Sequence, residues 1–107
     1  MGASKPEETL AYHLKIARIK HSREVVCIPG RKFRFDFLVE PDLLIEVNGG
    51  LHLSHFGGHS SKKGILRDME KSNLAVLHGY RLLSFDPGAI YSGSALQMIQ
   101  RCLYNKT

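Results

Sequence analysis

The sequence predicts a small α/β domain, a mixed β-sheet flanked by helices with the element order α-β-β-β-α-β-α. Three observations carry this reading. Phe33, Phe35, Phe37 and Val39 alternate with Arg34, Asp36 and Leu38, and after the turn residues Glu40-Pro41-Asp42 an apolar run from Leu43 to Asn48 follows, which marks two neighbouring strands. A helix-period stretch from Lys62 to His78 separates the second of these from a strand at Tyr80–Phe85. That β-α-β unit requires parallel strands joined by a right-handed crossover. Capping-box spacings, Ser4 with Glu7 and Ser94 with Gln97, open one helix near each end of the chain. At 107 residues the chain is long enough for one core, so residues 1–107 are expected to form a single domain.

Taken in order, the first helix is expected from Lys5 to Lys20, with Pro6 in its first turn and Leu10, Leu14 and Ala17 as its apolar stripe. Glu7 lies one turn before Leu10 on the same stripe. Glu24 to Ile28 reads as a short strand ended by Pro29-Gly30. After the two central strands, Leu51 to Gly64 is rich in His, Gly and Ser and reads as a loop. The helix from Lys62 to His78 is expected to bury Ile65, Leu66, Met69, Val76 and Leu77, and Gly79 stops it. Glu70 and Asn73 face the same stripe, which implies a hydrogen-bonded polar network there. Asp68 and Lys71 are spaced to pair with each other. Asp86-Pro87-Gly88 ends the last strand, and a helix from Ser94 to Tyr104 docks Leu96, Ile99, Cys102 and Leu103 on the sheet.

Composition narrows the function classes. The formal charge is +5 with 15 Lys and Arg against 10 Asp and Glu, which favours a polyanionic partner over an acidic small molecule. No apolar run approaches a membrane span, and the N-terminal stretch lacks the zones of a secretory signal, so a cytoplasmic protein with no membrane partner is expected. The two cysteines, Cys27 and Cys102, sit far apart in apolar company and read as reduced core thiols.

If Glu40-Pro41-Asp42 closes a hairpin, Val39 pairs with Leu43, and counting back sets Asp36 opposite Glu46. Directly opposed like charges destabilise a sheet, so the pair calls for a compensating cation. A divalent metal with hard oxygen ligands answers that need, and Mg2+ or Mn2+ suits one or two carboxylates. The plainer reading is a pair of exposed surface carboxylates. His52, His55 and His59 invite a zinc reading, but their spacing is not one of the tight cysteine-assisted patterns.

Asp36 followed by Glu46-Val47-Asn48 resembles the PD-(D/E)XK nuclease superfamily, with Asn48 standing at the position where that pattern has a lysine. Gly49-Gly50 and the run HSSKKGILRDMEKSNLAVLHGYRLLSF are similar to a small bacterial and phage branch of it. The resemblance, counted from Glu7 to Phe85, implies a restriction-endonuclease-like core and a Mg2+-dependent endodeoxyribonuclease, working on DNA in a bacterial or phage-infected cell. It implies Asp36, Glu46 and the Val47 carbonyl as metal ligands, with Mn2+ able to substitute. It also implies Lys71 as the displaced catalytic lysine, beside Asn48 at the motif position, and Glu7 as a glutamate lent by the first helix. Capping is the equal alternative for Glu7. His59 matches the branch's histidine, and Arg34, Lys62, Lys63 and Asn73 join it as substrate-binding candidates. For Lys62 and Lys63 the alternative is a solvated helix start. Two other functions stay open: a DNA-binding domain of the same fold without catalysis, and a zinc-organised nuclease built on His59, Asn73 and His78. A homodimer would give so small a domain the reach to enclose a duplex.

Overall fold

The computed structural model describes residues 4–48 and 62–104. Its elements are α1 (Lys5–Ile16), β1 (His21–Val25), β2 (Phe35–Val39), β3 (Leu43–Val47), α2 (Lys62–Leu77), β4 (Arg81–Phe85), α3 (Pro87–Ser92) and α4 (Ser94–Tyr104). The four strands form one sheet in the order β1-β2-β3-β4, antiparallel across the first two junctions and parallel between β3 and β4. The mixed sheet flanked by helices is thus as expected, with α3 as an addition.

Both faces of the sheet are covered. On one face Phe37, Val39, Leu43 and Ile45 are buried against Leu10 and Leu14 of α1, Ile90 of α3, and Ala95 and Ile99 of α4. On the other, Phe33, Phe35, Leu44 and Ile28 pack with Ala75 of α2. Arg81 locks one end of this sandwich. Its guanidinium donates to Asp42 Oδ1 (2.9 and 3.2 Å) and to the Cys102 carbonyl (2.9 Å), joining β4 to the β2–β3 turn and to the last turn of α4.

Several local expectations are corrected. Helix α1 stops at Ile16 because Arg18 takes a left-handed φ of 59° and Ile19 N–H bonds the Leu14 carbonyl, a Schellman-type ending without glycine. The freed residues let β1 begin at His21, three positions before the expected strand. Asp86 caps α3 instead of leading into a plain turn, its carboxylate accepting from Gly88 N–H at 3.2 Å. The apolar stripe assigned to α2 is not buried: Ile65, Leu66, Met69, Val76 and Leu77 are exposed among the described residues, and the helix docks through Ala75 and half-buried Leu74. Phe35 and Phe37 alternate in burial with their neighbours but belong to opposite cores. The switch falls where Glu24 of β1, at a left-handed φ of 53°, interrupts pairing between Arg23↔Phe37 and Val25↔Phe35.

Candidate functional site

The β2–β3 register runs Val39↔Leu43, Leu38↔Leu44, Phe37↔Ile45 and then ends, although β1 stays paired to Phe35 and β3 stays paired to β4 through Val47. The two central strands therefore part at Asp36 and Glu46. The gap is bridged by side chains where ladder bonds would otherwise run. Asp36 Oδ2 accepts from the Val47 backbone N–H at 2.7 Å, and the Asp36 backbone amide stabilises the Glu46 carboxylate in return.

Helix α2 supplies the cation. Lys71 donates from Nζ to Glu46 Oε2 and, at 2.6 Å, to the Arg34 carbonyl, with its ammonium 4.6 Å from the Phe35 ring centroid. Both side chains of this ion pair are largely enclosed, at 18% exposure for Lys71 and 19% for Glu46. Enclosure costs both charges part of their hydration, so removing one partner strands the other. The expected Asp68–Lys71 pairing is replaced by this contact.

Burial pushes the Glu46 carboxyl above its ordinary value, and the charge of Asp36 adds to the rise, while Lys71 opposes it without overcoming it. Glu7 is raised in the same way, first by burial and then by Asp36. The capping reading is the one the geometry shows directly. Ser4 Oγ accepts from Glu7 N–H at 3.4 Å, and the Glu7 carboxylate accepts from the Ser4 backbone amide, so the cap is formed while the carboxylate still feels Asp36.

Asp36, Glu46, Val47 and Lys71 are thus brought together from β2, β3 and α2, with Glu7 of α1 near enough for its carboxyl to feel Asp36. The other candidates fall elsewhere. Asn48 is exposed just past β3, where its backbone N–H bonds the Phe85 carbonyl at 2.8 Å. Lys62 and Lys63 are exposed at the start of α2. Asn73, exposed on α2, lines a shallow groove with Ile65, Asp68, Met69 and Ser72. Glu70 leaves no buried network: it takes two bonds from the exposed Arg31 guanidinium, at 2.6 and 3.1 Å, which holds its carboxyl below the ordinary range. His52, His55 and His59 lie outside the described residues. Arg67 escaped the sequence reading because nothing in the local pattern signals that α2 would carry it beside Arg34.

Among the described residues no three His, Cys, Asp or Glu side chains group closely enough to hold a metal ion. The donor set at the strand gap is two carboxylates and one carbonyl. That is compatible with magnesium, which takes few protein ligands and keeps several waters, and unlike a structural zinc site.

A comparison with solved structures aligns the chain with the catalytic domain of the homing endonuclease I-Bth0305I, at a TM-score of 0.69 over 92% of this chain and 93% of that one. The chain shares the fold of a homing endonuclease catalytic domain. Sequence identity over the alignment is 23%, so the likeness is one of architecture. No protein-family model and no curated protein matches the chain.

Proposed function

We propose that the protein is a Mg2+-dependent endonuclease of the PD-(D/E)XK type that hydrolyses phosphodiester bonds in DNA. The observation that carries the reading is the convergence of Asp36, Glu46 and Lys71 at the point where β2 and β3 separate. The shared architecture with a homing endonuclease catalytic domain supports it. So does the alternation of β3: one strand residue turns its N–H and C=O the same way, so the Val47 carbonyl shares the gap into which Val47 N–H reaches Asp36.

In this reading Asp36, Glu46 and the Val47 carbonyl would hold magnesium, which would supply polarisation of a phosphoryl oxygen and a lowered pKa for bound water. Lys71 places its ammonium where charge develops on the cleaved phosphate. Glu46 keeps that ammonium fixed from one side and the Arg34 carbonyl from the other, so little reorganisation remains for the reaction itself. Glu7, raised by burial and by Asp36, is suited to exchange a proton with attacking water nearer neutrality than an ordinary glutamate.

Incubating the purified protein with supercoiled plasmid tests the reading. Nicking or linearisation with magnesium, and none with chelator, is the expected result. Binding without cleavage under both conditions would leave a non-catalytic DNA-binding domain of the same fold.

A further inference from the structure

Beside the carboxylate gap, the connection entering β2 and helix α2 border a cleft of about 420 Å³ lined by Lys32, Phe33, Arg34, Arg67, Asp68 and Lys71. We propose that this cleft is a phosphate subsite, holding the phosphodiester next to the cleaved one on the same DNA strand. The inference rests on the nuclease reading above and adds the place where the substrate backbone continues.

Three of the four cations lining the cleft differ from the other basic groups near the sheet. Arg23, Arg31 and Arg81 are consumed by Glu8, Glu70 and Asp42, and Lys20 by Glu40. Lys32, Arg34 and Arg67 form no ion pair among the described residues, yet they converge on one concavity. Arg67 is steadied there by the Phe33 ring, 5.2 Å from its guanidinium carbon. Arg31 lies against the same ring at 4.4 Å, so the two guanidinium groups share one aromatic support. A guanidinium held this way loses less freedom on binding an anion, and its fork matches phosphate oxygens.

Continuity with the gap identifies the ligand. Lys71 is a wall of the cleft and also the partner of Glu46, so any group filling the cleft lies one side chain from the carboxylates. In a polynucleotide, consecutive phosphates are tethered through a single sugar, so a strand with one phosphate at the gap delivers its neighbour here. The remaining charge on the wall, Asp68, opposes an anion. It sets an affinity that its removal should raise.

The test is binding of a short fluorescent DNA duplex by the full chain in chelator, across a salt series. The triple change Lys32→Ala, Arg34→Ala, Arg67→Ala is compared with Lys15→Ala, Lys20→Ala, Arg101→Ala, which removes the same charge from exposed positions outside the cleft. The cleft variant should weaken binding about tenfold or more and lower the salt slope by about 1, one phosphate contact, relative to the matched control. Asp68→Asn should tighten binding. Equal weakening by the two triple variants, or an unchanged slope in the cleft variant, would overturn the subsite while leaving the nuclease reading intact. Failure of the parent chain to bind DNA at all would overturn both. Circular dichroism of each variant confirms that the fold is retained.

Discussion

Asp36 has two jobs that substitution separates. Its Oδ2 replaces a missing ladder bond by accepting from Val47 N–H, while its charge raises both Glu7 and Glu46. Asp36→Asn keeps an acceptor and removes the charge, so in chelator it should be more stable than the parent, by about 1 kcal/mol. Asp36→Ala strands the Val47 amide and should lose about 1–3 kcal/mol. Urea unfolding of the three proteins orders them, and an Asn variant no more stable than the parent would mean that repulsion is negligible. Lys71→Met makes a second residue-level test. Glu46 binds its proton more tightly folded than unfolded, so its stabilising contribution is full in acid and is lost as pH rises from 4.5 through the folded value. Without Lys71 the folded value climbs further. The stability gap between parent and variant should therefore widen with rising pH, to about 1–3 kcal/mol near neutrality; a gap independent of pH would show that Lys71 does not compensate Glu46. Reading the sequence gives the β2–β3 register as far as Phe37 and Ile45, because hairpin register is arithmetic once the turn is known, but not the parting of the strands at Asp36 and Glu46. It reached Lys71 only through resemblance, since the partner of a strand carboxylate on a helix 25 residues away is set by docking.

Elements were legible where local chemistry and packing agree. β2, β3, α2, β4 and α4 follow from periodicity to within a residue or two, although Ser94, expected to cap α4, lies inside it and its hydroxyl donates to the Ala89 carbonyl at 3.2 Å, while Gln97 N–H bonds the Gly93 carbonyl. α1 ended early because its stop signal is an arginine in a conformation usually left to glycine or asparagine, and residue type does not announce that. Phe35 and Phe37 belong to different cores beside a second left-handed residue, Glu24, an event invisible in an alternating pattern. Glu24→Gly should raise the unfolding midpoint, by up to about 1 kcal/mol, since it relieves a left-handed non-glycine residue at some entropic cost. A lower midpoint would assign the Glu24 side chain a stabilising contact that outweighs the strain. Arg31→Ala removes a well-formed but exposed pair with Glu70 and should leave the midpoint nearly unchanged, because solvent screening and lost side-chain freedom offset such pairs. A large drop would show that the Arg31–Phe33 stack, and not the ion pair, holds the connection into β2. The stripe on α2 failed as a burial forecast for a separate reason: apolar periodicity gives the direction of a face, and only docking through Ala75 decides which direction is covered.

At the scale of the molecule, a formal charge of +5 favours a polyanionic partner, and the proposed chemistry is sited where β2 parts from β3. These two contributions are separable. In the proposed nuclease, basic side chains would supply most of the affinity for DNA, and the carboxylates little of it. The most direct test is therefore cleavage of labelled DNA by the parent, Asp36→Ala and Glu46→Ala across a magnesium titration, with DNA affinity measured alongside. The parent rate should rise with magnesium and saturate, while both variants stay inactive at every magnesium concentration and keep most of the parent's affinity. Cleavage by either variant at the parent's rate would contradict a mechanism built on these two carboxylates.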